Sequence, residues 1–180
     1  MNLEKLIKQC CQQKLAAQTE VYQLFSDKLF ALCLKYSRNK QDAEDTLQDS
    51  FLVIFDKIKQ YKNTGSFEGW LKRITINTAL QKYRQKSPLQ IVKDVSDVDE
   101  VEEFNTENTV FNVDVLLGFI QKLPDRYRLV FNLHVLDNYS HKEIANLLEI
   151  SEGTSKSNLS RARKILKNQL EIHQQKEQKA

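Results

Sequence analysis

Apolar residues recur at helical spacing through most of the chain, and no alternating run is long enough to predict a strand. The first such stretch runs from about Leu3 to Tyr36. Its apolar positions are Leu3, Leu6, Ile7, Cys10, Val21, Leu24, Phe25, Leu29 and Leu32. Because the 180 residues include only four Gly and two Pro, the pattern predicts an all-α protein.

A second helix is predicted from about Gln41 to Gln60, after a break in which Asn39 is a suitable N-cap. Its apolar stripe consists of Leu47, Phe51, Ile54 and Ile58. Four carboxylates, here called the acidic line, lie roughly opposite that stripe: Asp42, Asp45, Asp49 and Asp56. The acidic line is either a solvated face or a docking surface for a basic partner. The docking surface is suggested by Leu52 and Phe55, which flank the acidic line but lie outside the apolar stripe.

A loop from Tyr61 to Phe67 precedes the third predicted helix, with Gly65 as its turn residue and Ser66 as a candidate N-cap. The helix itself runs to about Gln85 and carries two polar lines. One contains Lys72, Lys82 and Lys86, and the other contains Arg73, Asn77 and Arg84. Cations beside an aromatic-containing loop suit single-stranded or locally melted nucleic acid. Trp70 is predicted to anchor the core. For Phe67 and Tyr61 the sequence does not decide between packing in the core and stacking on a base.

The C-terminal half is predicted to hold helices over Asn112 to Lys122 and over Arg126 to about Leu136. Beyond Tyr139 come a short helix, a tight turn and a basic helix, the layout of a helix-turn-helix. The last helix has an inward stripe of Ser155, Leu159, Ala162 and Leu166. Its opposite side, here called the reading face, holds Lys156, Ser157, Ser160, Lys164 and Lys167, flanked by Arg161 and Arg163.

The net charge of +3 says little by itself, but the charges are unevenly distributed. Two basic blocks, over 70–86 and 156–167, contain no acid, and the segment between them is acidic with few apolar residues. That segment, about Leu89 to Thr109, is predicted to be a linker that avoids phosphate. The pattern therefore predicts two small helical domains joined by an acidic linker, the second domain being the helix-turn-helix.

Three cysteines, two of them adjacent, make a disulfide framework improbable. Cys10 and Cys33 occupy apolar positions and are predicted to be small core residues. Together with the cysteine pattern, the absence of a recognisable signal peptide or membrane-spanning stretch leads us to expect a reducing cytoplasmic location without membrane insertion.

Two functional classes are weighed for a chain with this helix-turn-helix, an enzyme and a DNA-binding regulator. For an enzyme, the three histidines (His134, His141, His173) are scattered, and neither a phosphate loop nor a nucleophile motif is present. No catalytic residue, metal or cofactor is therefore expected. The stronger of the two is a helix-turn-helix regulator that binds DNA by itself and uses its N-terminal half for sensing or dimerisation.

The segments Asp42–Phe51, Ser66–Ile74 and Asn77–Leu80 resemble region 2 of bacterial RNA polymerase sigma factors, especially the extracytoplasmic-function (ECF) group. The segment Leu123–Arg128 and the helix-turn-helix resemble region 4 of that group. The resemblance covers nearly the whole chain in the family's order. It implies region 2 over 1–87, an acidic linker over 88–110 and region 4 over 111–180.

The resemblance also implies three sets of site residues. Docking on core polymerase would use Asp42, Asp45, Gln48, Asp49 and Leu52. Recognition and melting of the −10 promoter element would use Lys62, Asn63, Thr64, Ser66, Phe67, Arg73, Asn77, Lys82 and Arg84. Reading of the −35 element would use Thr154, Lys156, Ser157, Ser160, Arg161 and Lys164.

The partners implied by the resemblance are core RNA polymerase, through its beta-prime clamp helices and beta flap, promoter DNA and an anti-sigma factor. The chain departs from the family at two positions of the helix-turn-helix. Glu149 stands where a turn glycine is common, and Ser155 replaces an apolar residue beneath the second helix. The first change is expected to cost about 1 kcal/mol if the backbone there is left-handed.

Overall fold

The computed structural model describes residues 3–86 and 112–177, and the regular structure in these ranges is entirely helical. The chain forms two compact units, here called the N-terminal unit (1–89) and the C-terminal unit (90–180). The prediction of an all-α protein with two domains is confirmed. The predicted acidic linker lies outside the described residues.

The described residues of the N-terminal unit, 3–86, form four α-helices and a short 3-10 turn. They are α1 (Leu3–Cys11), α2 (Leu15–Tyr36), α3 (Lys40–Lys57), the turn Ile58–Gln60 and α4 (Phe67–Lys86). The break between α1 and α2 was not visible in the apolar pattern. It occurs where Gln13 adopts a left-handed backbone with φ of 59°, which no residue can adopt within a right-handed helix.

The core of the N-terminal unit is built from the predicted apolar stripe of α3. Asn39 caps that helix, since its side chain accepts a hydrogen bond from the backbone N–H of Asp42 at 2.8 Å. The stripe residues are all buried: Leu47, Phe51, Ile54 and Ile58. They pack with Leu29 of α2 and Leu71 of α4. Burial of this stripe fixes the acidic line on the outer side of α3.

Cys10 and Cys33 are both fully buried, which confirms their assignment to the core. Burial raises the pKa of the Cys10 thiol to about 11 and that of Cys33 to about 12. Both thiols are therefore protonated near neutral pH and unreactive.

The C-terminal unit contains α5 (Val113–Lys122), α6 (Asp125–Phe131), α7 (His141–Leu148) and α8 (Glu152–Glu177), with a π-helical turn over Asn132–Leu136. Buried Arg128 ties α5 to α6. It pairs with Asp125 and donates hydrogen bonds to the carbonyls of Gln121 (3.3 Å) and Leu123 (3.0 Å). This arrangement satisfies orphan carbonyls at the end of α5 and supports the helix-turn-helix that follows.

Candidate nucleic-acid and partner interfaces

The acidic line of α3 is accessible. Asp45, Gln48 and Asp56 are exposed, and Asp42 and Asp49 are half-exposed. Beside them, Leu52 leaves 70% of its surface in solvent. Phe55, by contrast, is half-buried with its ring 5.8 Å from that of Phe51, so it extends the core rather than the surface. An exposed leucine among carboxylates provides both an apolar anchor and charge for a basic partner.

Phe67 is a core residue. Its side chain is 3% exposed, and its ring lies 5.1 Å from Tyr61 and 5.7 Å from Phe25. Trp70 stacks on it at 5.8 Å, which confirms Trp70 as a core anchor. Because the Phe67 ring is enclosed by these three aromatic side chains, the prediction that Phe67 contacts DNA is corrected. Phe67 instead packs beneath the loop and supports it. Sequence could not separate the two roles, since both use an aromatic side chain after a loop.

The loop before α4 is held by its own contacts. The Tyr61 hydroxyl donates a hydrogen bond to the Gly65 carbonyl at 2.8 Å, and Gly65 has a φ of 97° that favours glycine. Ser66 caps α4, accepting a hydrogen bond from the backbone N–H of Gly69 at 3.0 Å. The loop therefore presents three exposed polar side chains on a braced backbone: Lys62, Asn63 and Thr64.

Lys82 differs in environment from the polar residues on the other line of α4. Arg73, Asn77 and Arg84, here called the outer line, are exposed. Lys82 lies on the same side of α4 as Thr75, which is 1% exposed, and its own side chain is 26% exposed. Lys82 is paired with Asp49 of α3, with 2.6 Å between Nζ and Oδ2. The helical period alone did not distinguish Lys82 from the other cations of α4, because its ion pair with Asp49 comes from packing against α3.

Lys72, also on α4, is held by Glu68. The Glu68 carboxylate lies 2.9 Å from the Lys72 ammonium and 2.8 Å from that of Lys28 on α2. Hydrogen bonds from Lys28 and Lys72 lower the pKa of Glu68 to about 2. This bridge joins the start of α4 to α2, so Lys72 serves the fold as well as the surface.

The helix-turn-helix is set by local capping. Ser140 and Glu143 form a capping box at the start of α7, with the Ser140 N–H donating to the Glu143 carboxylate at 2.8 Å. Glu149 ends α7 in a left-handed conformation with φ of 56°, so the expected strain of a non-glycine residue is present. Ser151 then caps α8 by accepting a hydrogen bond from the Thr154 N–H at 2.9 Å.

The reading face of α8 lies opposite a buried stripe. Ser155, Leu159 and Ala162 are buried as predicted. On the other side, Lys156, Lys164 and Thr154 are exposed, while Ser157, Ser160 and Arg161 are half-buried. The Ser157 hydroxyl donates to the Thr154 carbonyl at 3.0 Å, which leaves its oxygen lone pairs to accept. A helix with cations and hydroxyls on its solvent side suits phosphate and base-edge contacts.

The sequence-based description of the histidines as scattered is wrong for His134 and His141. Their rings stack with centroids 4.3 Å apart. The His134 Nδ1–H donates to the Tyr139 carbonyl at 2.9 Å, and His141 Nδ1 lies 2.9 Å from the hydroxyl of buried Ser155. Ser155 therefore links α7 to α8 by a polar contact in place of an apolar one. In the sequence, only the predicted turn between His134 and His141 indicated that the two rings could meet.

Acidification is expected to destabilise the C-terminal unit through His141. Burial lowers its pKa, and the neighbouring His134, Lys156 and Arg163 act in the same direction against Glu152. His141 has its ordinary pKa in the unfolded state, so the unfolded state takes up the proton more readily than the folded one. The free energy of unfolding therefore has its full value at pH 7.5 and falls as the pH drops through about 6.5, the ordinary histidine value. Thermal unfolding followed by circular dichroism at pH 7.5 and 5.5 measures the difference.

A matched pair of variants assigns this effect. His141→Asn keeps an amide able to bond Ser155 but does not titrate, so it should reduce the pH dependence. The control His173→Asn removes a histidine at the far end of α8, away from the stacked pair of His134 and His141. Equal pH dependence in both variants would show that His141 is not its source.

Two further observations concern the described part of the chain. No three His, Cys, Asp or Glu side chains there come together as metal ligands. Nor does any helix within it have the length and apolar character needed to cross a bilayer.

Family models match both units. The model for Sigma-70 region 2 matches residues 21–88, and that for Sigma-70, region 4 matches residues 114–166. The fold is similar to that of the sigma factor RpoE from Bartonella quintana, solved in complex with the anti-sigma factor NepR. The TM-score is 0.55 at 21% identity, covering 86% of this chain and 96% of that one.

Curated relatives extend the match to nearly the whole chain. The ECF RNA polymerase sigma factor SigW of Bacillus subtilis is 31% identical to this chain, and the alignment covers 94% of this chain and 97% of SigW. SigM of the same organism is 29% identical over 82% of this chain and 91% of its own. With both Sigma-70 regions matched, this chain belongs to the ECF RNA polymerase sigma factors, non-enzymatic transcription initiation factors that bind core polymerase and promoter DNA.

Proposed function

We propose that this sigma factor holds a promoter at two points while docked on core polymerase through α3. The observation that carries the proposal is the pair of distinct exposed surfaces on adjacent helices of the N-terminal unit. One is the acidic line with Leu52, and the other is the outer line of α4 with the preceding loop. A sensing or dimerisation module has no need for both.

The acidic line is proposed to dock on the beta-prime clamp helices of core polymerase. Its contact residues would be Asp42, Asp45, Gln48, Asp49 and Leu52. Exposed carboxylates steer a basic partner and set its orientation, while a desolvated leucine supplies binding energy. The opposite face of α3 is occupied by the core, so docking here leaves the fold intact.

The loop and outer line are proposed to capture the melted −10 strand. Lys62, Arg73 and Arg84 would hold phosphates, and Asn63, Thr64, Ser66 and Asn77 would contact a base that has left the stack. The braced loop lowers the ordering cost of this capture, since its backbone is already fixed by Tyr61 and Gly65.

The C-terminal unit is proposed to read the −35 element by placing α8 in the major groove. Lys156 and Lys164 would contact phosphates, and Arg161, Ser160, Ser157 and Thr154 would approach base edges. The domain limits proposed are 1–87, 88–110 and 111–180. The beta flap and an anti-sigma factor are proposed as further contacts, and the fold neighbour RpoE was solved bound to an anti-sigma factor.

Reconstituted transcription tests the function. Core polymerase with this protein should initiate at defined positions in a genomic promoter library that core polymerase alone ignores. A polymerase-independent regulator would instead bind duplex DNA without directing new start sites, and absence of initiation across the library would overturn the proposal.

A further inference from the structure

Two of the site residues assigned above to different partners are paired with each other. Asp49 belongs to the acidic line of α3 and Lys82 to α4, and 2.6 Å separates the Asp49 Oδ2 from the Lys82 Nζ. We propose that Asp49 is a positioning residue for Lys82: it holds the ammonium back in the free protein, and polymerase docking on Asp49 releases it to the −10 strand. This inference rests on the proposed function.

Lys82 is placed differently from the cations of the outer line. The Lys82 side chain is only 26% exposed, whereas Arg73 and Arg84 are exposed residues. On the same side of α4 lie Thr75 and Thr78, which are 1% and 9% exposed. A partly buried lysine packs its methylene chain against the protein surface and places its ammonium group where that surface meets solvent, at the edge of the helix contact. That edge is where α4 meets the acidic line.

Asp49 is open to a partner from the other direction. Its side chain is 46% exposed. An open groove of about 270 Å³ lies beside the ion pair, with Leu52 and Val53 on the α3 side and Thr78 and Gln81 on the α4 side. A basic side chain arriving at the acidic line can therefore reach the Asp49 carboxylate and replace the Lys82 ammonium.

The energetic scale permits such an exchange. An ion pair at this degree of exposure changes an equilibrium by about two- to five-fold. A polymerase cation that satisfies Asp49 removes that restraint, and the freed ammonium then gains a phosphate on the melted strand. Docking and strand capture become coupled through one carboxylate. The free protein correspondingly has less cationic surface for DNA than its sequence suggests.

Amine footprinting tests the restraint directly. The full-length protein is treated with acetic anhydride, alone and reconstituted with core polymerase, and acetylation of Lys82 is followed by mass spectrometry relative to exposed Lys14. In the free protein Asp49→Asn should raise Lys82 acetylation about two- to five-fold. Asp45→Asn, which removes the same charge one turn earlier on α3, should not. Reconstitution should raise the wild-type value.

Two outcomes would overturn the inference. One is equal acetylation of Lys82 in the Asp49→Asn and Asp45→Asn variants, which would reduce the effect to net charge. The other is a Lys82 reactivity that is unchanged or lower after reconstitution with core polymerase.

A second measurement follows the released ammonium. In holoenzyme, Lys82→Gln should slow permanganate-detected opening of the −10 element, and unchanged opening would contradict release onto the strand. Failure of the inference is distinguishable from failure of the proposed function. If wild-type holoenzyme initiates transcription while these variants behave as their controls, only the coupling is wrong.

Discussion

Replacing Asp45 by Lys and Leu52 by Ala together is expected to abolish co-purification with core polymerase. The dissociation constant should rise by about 100-fold or more, because truncating a hot-spot residue costs about 2 kcal/mol and the reversed charge adds repulsion. Leu52 is 70% exposed, so its truncation removes little from the folded protein itself. Affinity for immobilised core polymerase measures the effect.

Leu15→Ala is the matched control for this variant. Leu15 is 76% exposed at the start of α2, in the same unit as Leu52 but on another helix. The control should keep full affinity, and both variants should keep the helical circular dichroism. Asp49 is left unchanged because reversing it would also break the ion pair with Lys82. Retained co-purification of the double variant would reduce the acidic line to a solvated face.

In the C-terminal unit, Arg161→Ala and Lys156→Ala are expected to weaken promoter binding in different ways. Loss of a base-reading arginine should cost about 1–3 kcal/mol and relax sequence preference at one position of the −35 element. Loss of a phosphate-contacting lysine should weaken binding evenly across sequences and reduce the salt slope by about one. Holoenzyme binding to a set of −35 substitutions at several salt concentrations separates these effects.

Lys176→Ala provides the comparison, since it removes the same charge from the far end of α8, where Lys176 is exposed. It should leave both the affinity and the salt slope near their wild-type values. If Lys176→Ala and Lys156→Ala weaken binding equally, the cations act through net charge alone. If Arg161→Ala leaves the sequence preference unchanged, Arg161 does not read a base.

Much of the fold could be predicted because its signals are local. A helical apolar period identifies a buried face irrespective of what covers it, and the stripe of α3 is buried as expected. The N-caps Asn39 and Ser66 act within three residues of their own positions. The break at Gln13 was missed because the apolar pattern does not indicate a left-handed residue.

The candidate site was predicted less completely, because several of its side chains depend on neighbours distant in sequence. Phe67 was expected to reach DNA but is enclosed by Phe25 of α2 and by the aromatic residues around it. Lys82 was grouped with the other −10 contacts but is paired with Asp49 of the neighbouring helix α3. In both cases composition allowed two environments, and only the packing of a second helix selected one.

By itself the sequence determined most of the helices, their inward faces, the layout of the helix-turn-helix and the membership of the family, since these depend on spacing along one segment. Only the tertiary structure decided which polar side chains remain available to a partner. It paired Asp49 with Lys82, stacked His134 on His141 and satisfied buried Ser155. The physical reason is that an ion pair or ring contact between segments forms only when packing brings both within a few ångströms, a distance that periodicity does not encode.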